Sequence, residues 1–278
     1  MITPSEEERE MRQSLRERFG GVDSSPTPHN DTLRLQLRHR SVREFLAAPV
    51  DDRSLETILR AAQSASHSSN LQAWSAVVVR DEARRGRITD AIGGMDFIRT
   101  APVFLVWVAD LHRAVNILDR RGERWDTSRY LETALVPFVD IGIAAQNALL
   151  AAESLGLGGV FVGALRNNPP KIIAELGLPR NTFPALGMAL GVPDPGEEAG
   201  IKPRLRTSAI MHAETYDAES WPEHVDDYEV RIAQYYRRFG VQEYSWFRCV
   251  AERIGPRSGL KGRHRLRSWL RDQGFGGW

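Results

Sequence analysis

The spacing of hydrophobic residues along the chain predicts helices interleaved with a few strands. From residue 52 onward, apolar positions recur every three or four residues, which predicts a helix capped by Asp51 or Asp52. Residues 141–152 show the same spacing and are rich in alanine, so another helix can approach them closely. Nine apolar residues in a row, 101–109, are typical of a strand covered on both faces. Such a strand requires helices on each side of a sheet.

Three further strands are predicted, and the first thirty residues differ in character from the rest. The predicted strands are 74–79, 160–165, directly after the glycines that end the alanine-rich helix, and 183–191. Residues 4–19 predict a short charged helix, and the glycine, serine and proline residues of 20–28 break regular structure. We therefore expect residues 1–30 to be a mobile N-terminal extension.

Charge and cysteine content narrow the class of protein. The chain has 37 Lys and Arg residues against 36 Asp and Glu, and a net charge of +1 gives no strong field for nucleic acid or a membrane surface. Cys249 is the single cysteine, which excludes an intrachain disulfide, and we expect it to be a small core residue. The N-terminus has no secretory pattern, and polar residues interrupt the apolar stretch 134–165. We expect a cytoplasmic protein with neither nucleic acid nor a membrane as partner.

Several common motifs do not fit this sequence. The glycines of 156–159 resemble part of a dinucleotide loop, but Phe161 replaces the last glycine, and the run follows a helix where the motif must follow a strand. The sequence contains no phosphate-loop motif and no GxSxG elbow. Its seven histidines show no metal-binding spacing, so no metal site is predicted.

Two basic motifs remain. His39-Arg40-Ser41-x-Arg43 combines two guanidiniums, a hydroxyl and an imidazole, and Lys202-Pro203-Arg204 is a basic pair beside a proline of fixed φ. Both compositions suit a phosphate or an electron-rich ring edge. Each motif taken alone is more simply explained as a solvated surface cluster.

These motifs belong to a longer series of blocks. In chain order the blocks are HRSVRxF at 39–45, SSxLQ at 68–72, AQNALxAAESLGLGG at 145–159, GxLRN at 163–167 and KPRL at 202–205. The series resembles the oxygen-insensitive, NADPH-dependent nitroreductase and flavin reductase group of the nitroreductase superfamily. The resemblance extends over roughly residues 33–236 and leaves out the N-terminal extension.

The resemblance implies an α+β fold, with a central, mostly antiparallel sheet flanked by helices on both faces. It implies one FMN-binding domain, residues 31–278, whose C-terminal extension packs on the partner subunit of a homodimer with FMN at the interface. The implied activity passes electrons from NADPH or NADH through FMN to a small-molecule acceptor, a nitroaromatic, a quinone or free flavin, in two ping-pong steps. No protein side chain need act as a catalytic acid or base. A non-catalytic protein that binds or sequesters flavin is the alternative.

The resemblance also assigns cofactor-binding residues. Contacts to FMN from the same subunit are implied for His39, Arg40, Ser41, Arg43, Lys202 and Arg204. Contacts from the other subunit are implied for His67, Ser68, Ser69 and Asn167, and the strand end under the isoalloxazine for Phe161, Val162, Gly163 and Ala164. Which cation meets the phosphate and which the ring stays open.

Three positions depart from the family pattern. Met95 stands where the family usually has Gln, and Ala164 adds a methyl where the family has Gly. Phe239 replaces the basic residue before Gly240, so Arg238 and Arg263 become the candidates for the 2′-phosphate of NADPH.

The C-terminal segment allows other interpretations. Residues 250–278 carry seven basic side chains against two acidic ones, which leaves a nucleic-acid patch as a minor alternative. Aromatic residues beyond Pro203 are expected to fill the dimer interface.

Overall fold

Helices and strands follow the hydrophobic pattern closely. The computed structural model describes residues 5–21, 28 and 30–276. The α-helices are α1 (Glu6–Phe19), α2 (Asp31–Arg38), α3 (Asp52–Gln63), α4 (Glu82–Ile92), α5 (Asp96–Thr100), α6 (His112–Arg121), α7 (Leu131–Ser154), α8 (Pro169–Leu176), α9 (Pro222–Arg238), α10 (Trp246–Ile254) and α11 (Leu266–Asp272). The strands are β1 (Trp74–Val79), β2 (Val103–Asp110), β3 (Gly158–Val162) and β4 (Thr182–Gly191).

The strands form one sheet in the order β1-β2-β4-β3, and each neighbouring pair is antiparallel. Strand β2 lies inside the sheet, and its alternate side chains enter two different cores. Leu105 and Trp107 pack in a core with residues of α3, α7 and α11, whereas Phe104 and Val106 pack in a second core with residues of α4, α5 and α8. The prediction of a strand covered on both faces by helices is therefore confirmed, and the fold is α+β.

Helix α7 is the long alanine-rich helix. Its alanines 144, 145 and 148 are completely buried, and it packs along α3, as the small side chains predict. By length and composition α7 could also cross a membrane, but a core helix passes the same test, and many of its residues are buried in this chain. The core therefore accounts for the buried face of α7.

One strand boundary predicted from sequence is wrong. The strand expected over 160–165 is Gly158–Val162, and residues Gly163–Asn167 form a 3₁₀ turn instead. The reason is visible on β4: the Arg166 guanidinium donates to the Ala185 carbonyl oxygen over 2.5 Å. Gly187 is the last residue of β4 that pairs with β3. The Ala185 carbonyl, two residues away on β4, therefore accepts its hydrogen bond from a side chain and not from a longer β3.

The chain divides into two compact units. The helical unit comprises the described part of Met1–Arg40 together with Glu198–Gly259, and the sheet unit comprises Ser41–Glu197 with the described part of Leu260–Trp278. In the helical unit α1 begins with a reciprocal cap between Ser5 and Glu8, and it buries Met11 and Arg18. The predicted division at residue 30, and the mobility of the extension, stay predictions.

The C-terminal segment packs on its own sheet unit. Phe275 is buried beside Phe183, with ring centroids 6.5 Å apart, and Asn181 donates its backbone N–H to the Gln273 carbonyl over 2.7 Å. Contact of this segment with a partner subunit stays a prediction.

Candidate cofactor site

In the sheet unit, the segment that follows Arg40 is fixed by backbone pairing. Val42 donates its N–H to the Gly159 carbonyl over 3.0 Å, and Leu46 donates to the Val192 carbonyl over 2.9 Å. Asp194 donates in return to the Glu44 carbonyl over 3.0 Å. Ser41 and Arg43 therefore project from an extended segment that is bound to the ends of β3 and β4.

Gly158 makes this close approach possible. A Cβ atom at Gly158 would lie 2.5 Å from Val42 Cγ2 and 2.9 Å from Pro193 Cγ, far inside normal contact distance. The glycine run that ends α7 is therefore needed for packing of the 41–46 segment, in addition to ending the helix.

The turn after β3 carries several predicted cofactor residues. Ala164 is buried in the second core, so its additional methyl group fits without protruding. The Asn167 amide donates to the Ile92 carbonyl over 2.9 Å, and its Oδ1 accepts from Arg263 Nε over 2.8 Å. Asn167 and Arg263 were assigned separately from sequence, and the structure brings them together.

The loop before β1 carries the residues predicted to reach the partner's flavin. Ser69, Asn70 and Gln72 all have positive φ angles, of 48°, 51° and 49°, which is unfavourable for residues with a Cβ. The buried Asp140 of α7 anchors the loop by accepting the Ser68 N–H over 3.1 Å. A conformation of this cost persists only where its surroundings fix it, and the Asp140 hydrogen bond holds the loop at Ser68, directly before the strained residues.

His67 is oriented by Trp74. The indole Nε1 lies 2.8 Å from His67 Nε2, and the planes of the two rings are nearly parallel, with an interplanar angle of 7°. An indole N–H can only donate, so Nε2 accepts and the remaining ring proton is on Nδ1.

In the helical unit, one face of α9 holds the loop of the second basic motif. Tyr228 donates to the Pro203 carbonyl over 3.4 Å, and Arg231 donates to the Arg204 carbonyl over 3.0 Å. Tyr235 donates to the Gly200 carbonyl over 3.1 Å. These three residues are three and four positions apart, so they share one face of the helix.

The Lys202 ammonium has an aromatic partner. Its Nζ lies 2.9 Å from the Tyr236 hydroxyl, and Tyr236 in turn stacks on Tyr244 with ring centroids 3.7 Å apart. Burial raises the pKa of Tyr244 and the pKa of Tyr228 above their usual value. Both phenols are therefore neutral at physiological pH.

Asp227 lies between two arginines of this unit. Its carboxylate accepts from Arg206 in bidentate fashion, both distances being 3.1 Å, and from Arg231 Nε over 2.9 Å. Burial raises the pKa of Asp227, but the hydrogen bonds and charges of Arg231 and Arg206 outweigh burial, and the pKa is lowered overall. The carboxylate is charged at neutral pH and stabilises the loop that follows Arg204.

The two basic motifs are distributed between the units. His39, Arg40, Lys202 and Arg204 belong to the helical unit, and Ser41 and Arg43 to the sheet unit, as do the residues predicted on the 67–69 loop and the 161–167 segment. Arg238 is exposed at the end of α9. In the helical unit the buried Arg18 hydrogen-bonds the carbonyls of both His39 and Lys202, which brings the two motifs together.

Sequence reasoning missed several residues that fix these segments. Asp140, Arg18 and Arg231 were not singled out, and the tyrosines of α9 were expected to fill a dimer interface. Tyr228 is instead buried in its own chain, and the 3–4 spacing of α9 was a signal for this role. Cys249, expected in a core, is exposed on α10, so that prediction was wrong.

The chain matches two family models, "Nitroreductase family" over residues 37–192 and "Nitroreductase family, C-terminal domain" over 202–277. The chain belongs to the nitroreductase family. It is 36% identical over 226 residues to the FMN reductase [NAD(P)H] of Bacillus subtilis, covering 80% of this chain and 90% of that protein. It is also 36% identical to the oxygen-insensitive NADPH nitroreductase of Salmonella typhimurium, covering 74% of this chain and 82% of that protein.

A solved structure extends the likeness to the fold. The NADPH:FMN oxidoreductase of Vibrio harveyi, complexed with NAD+, superposes with a TM-score of 0.79 at 34% identity, covering 90% of this chain and all of that one. The α+β fold of this nitroreductase is thus that of solved family members.

The donor set in this nitroreductase fits FMN. A phosphate monoester needs cations and hydroxyls, and an anionic reduced flavin needs a cation near its ring. The helical unit supplies an ammonium, two guanidiniums and an imidazole on segments that are hydrogen-bonded together, and the sheet unit supplies Ser41 and Arg43 on the segment paired with β3 and β4.

Proposed function

We propose that this nitroreductase is an FMN-dependent oxidoreductase that passes electrons from NADPH or NADH to a nitroaromatic, a quinone or free flavin. The family match and the names of the relatives support this activity. The observation that carries the proposal is that two segments 162 residues apart in the sequence, which carry the His39 imidazole and the cations Arg40, Lys202 and Arg204, are bridged by one buried arginine, Arg18.

In this proposal each part of the chain has a definite task. His39, Arg40, Lys202 and Arg204 of the helical unit, and Ser41 and Arg43 of the sheet unit, would hold the phosphate and the electron-rich edge of FMN. Residues 161–164 would contact the flavin through their backbone, and His67, Ser68, Ser69 and Asn167 would contact the flavin of the partner subunit. Bound FMN would supply the redox chemistry, the transfer of two electrons from the nicotinamide donor to the acceptor in two separate half-reactions.

The homodimer has support on α7. Leu131, Leu135, Val139 and Ile143 follow one another at intervals of four residues and are 48%, 49%, 59% and 41% exposed in the single chain. Residues four apart share a helix face, so they form one apolar stripe. A second copy of the chain is the proposed partner of this stripe, because apolar patches of this kind mark interfaces.

A cytoplasmic location is part of the proposal. The single cysteine, Cys249, is exposed, and an exposed thiol survives best in a reducing compartment. The nicotinamide donors proposed here would be drawn from the same compartment.

Purification and turnover test the activity. The protein should be yellow, release FMN on denaturation, and oxidise NADPH with a quinone along parallel lines in double-reciprocal plots, as two-step transfer requires. Retained FMN without NADPH or NADH oxidation would support the non-catalytic flavin-binding alternative. Absence of any flavin affinity would refute both.

Light scattering tests the dimer. The wild-type protein should have the mass of two chains at micromolar concentration, and Val139→Glu, which buries a charge in the stripe, should yield monomers. Glu132→Gln, an exposed change on the same helix, serves as the control and should leave the mass unchanged. A monomeric wild-type protein would contradict the proposal.

A further inference from the structure

Arg18 is an unusual residue for an N-terminal extension. It lies in the last turn of α1, before both segments matched by the family models, and it is only 6% exposed. Burying a guanidinium is costly unless its N–H groups find partners. The partners that Arg18 has therefore indicate what its burial achieves.

The Arg18 guanidinium donates to backbone carbonyls on both basic segments. Its distances are 2.9 Å to the Leu37 oxygen, 2.6 Å to the His39 oxygen and 3.1 Å to the Lys202 oxygen. Its own carbonyl accepts the Arg204 N–H over 2.7 Å. Arg18 thus bonds to the backbone of three residues proposed to bind FMN.

Geometry makes arginine suited to this task. The guanidinium is planar, with its N–H groups in a fixed fork, so three carbonyls bonded to it are held at set positions relative to one another. His39 and Lys202 are far apart in sequence, and no strand pairing joins their segments among the described residues. The hydrogen bonds of the Arg18 guanidinium connect the two segments in place of strand pairing.

The residues after Arg18 pack against the same loop from another side. Gly20 has a φ angle of +81°, and a Cβ atom there would lie 3.0 Å from the Arg231 side chain. Arg231 donates to the Arg204 carbonyl over 3.0 Å and to Asp227. The loop 202–206 is therefore fixed by α9 and by the end of α1 together.

We propose that Arg18 is a positioning residue for FMN, which sets the spacing between the His39–Arg40 segment and the Lys202–Arg204 loop. The inference rests on the proposed FMN function. By this inference helix α1 helps to form the cofactor site, although α1 lies outside both segments that the family models match.

The test compares Arg18→Ala with Arg16→Ala. Both variants lose one arginine from the last turn of α1, but Arg16 is exposed. We measure the FMN dissociation constant of the apoprotein by quenching of flavin fluorescence, and unfolding by circular dichroism. Arg18→Ala removes the charge-assisted hydrogen bonds that Arg18 makes to the carbonyls of both basic segments, so it should weaken FMN binding by about tenfold. Arg16→Ala should bind FMN as tightly as the wild type.

A double-mutant cycle separates positioning from general stability. If Arg18 acts in part by placing Arg204, the loss of FMN affinity in Arg18→Ala/Arg204→Ala should be clearly smaller than the sum of the two single losses. Additive losses would contradict the proposal. A lowered melting temperature with unchanged FMN affinity would also contradict it, because Arg18 would then be merely structural.

Arg18→Lys covers the case in which Arg18→Ala does not fold. Lysine keeps the charge but lacks the fork, so a folded Arg18→Lys protein should bind FMN about threefold more weakly than the wild type. Wild-type affinity in that variant would overturn the proposal. Failure of the wild-type apoprotein to bind FMN would refute the proposed function itself, a different result from equal binding by wild type and Arg18→Ala.

Discussion

The two units fix their proposed cofactor segments by different means. In the sheet unit, residues 42–46 are bound by backbone hydrogen bonds to β3 and β4, and Gly158 leaves room for them. In the helical unit, the loop at 200–206 is held by side chains, among them Tyr228, Arg231 and Arg18, that donate to its carbonyls. A backbone ladder tolerates most side-chain changes except those that alter its spacing. A loop held by side chains depends on each of them.

The largest effect should come from closing the space at Gly158. Gly158→Ala places a methyl carbon 2.5 Å from Val42, and we expect it to destabilise the protein by about 2 kcal/mol, a usual cost of overpacking. Urea unfolding followed by circular dichroism measures the change. Gly21→Ala, where a Cβ atom would meet no atom of the described residues within 4 Å, is the control. Equal stability of Gly158→Ala and wild type would show that the 41–46 segment is not tightly packed.

The next effect concerns the cations of the helical unit. Arg204→Ala or Arg40→Ala should lower FMN affinity by more than about 1.5 kcal/mol, roughly tenfold, the scale of a lost charge-assisted hydrogen bond. Because neither residue lies in the sheet-unit core, the free energy of unfolding without FMN should change far less than in Gly158→Ala. If both variants retain stoichiometric FMN through gel filtration, the assignment of these cations is wrong.

The nicotinamide candidates lie in different units, which allows a direct comparison. Arg238 is exposed on α9, whereas Arg263 is engaged with Asn167 in the sheet unit. One of the two arginines is expected to bind the 2′-phosphate of NADPH. Its replacement by alanine should raise the KM for NADPH about tenfold and leave the KM for NADH nearly unchanged. Steady-state kinetics with both donors decide between them. Equal effects on NADPH and NADH in both variants would place the phosphate elsewhere.

The smallest effect is on acid stability. The pKa of Asp227 is lowered in the folded protein, so its contribution to stability is present above the ordinary carboxyl pKa and disappears as the pH falls through the lowered value. Asp227→Asn should therefore cost up to about 1 kcal/mol at pH 7 and progressively less below about pH 4.

A sheet-unit carboxylate provides the matched comparison. Hydrogen bonds from Arg87 lower the pKa of Glu175, so Glu175→Gln should show the same direction of pH dependence. Its partners are half-exposed arginines, Arg84 and Arg87, and solvent weakens such pairs. Urea unfolding at pH 7, 5, 4 and 3 should therefore give a smaller difference for Glu175→Gln than for Asp227→Asn. The reverse order would show that the helical unit depends less on its ion pairs than we infer.

Local pattern was enough to predict the four strands, the helices α1 and α3, and the second half of α7. Period-two and apolar runs predicted β1 to its exact residues and β2 and β4 to within one or two, and caps such as Asp51 marked helix starts. The prediction failed at 163–165, where a side chain from Arg166 replaces strand pairing on β4. Hydrophobic periodicity carries no information about such a substitution, because it depends on where a distant carbonyl lies.

For the candidate site, the sequence by itself determined the basic motifs, their order and the family, because short blocks of residues carry these. Only the tertiary structure decided what holds the motifs in place. Arg18, Tyr228, Arg231 and Asp140 act on segments up to 184 residues away, through carbonyl and amide groups that every residue possesses. Because the partner atoms belong to the backbone, no residue type at the receiving end marks these contacts in the sequence.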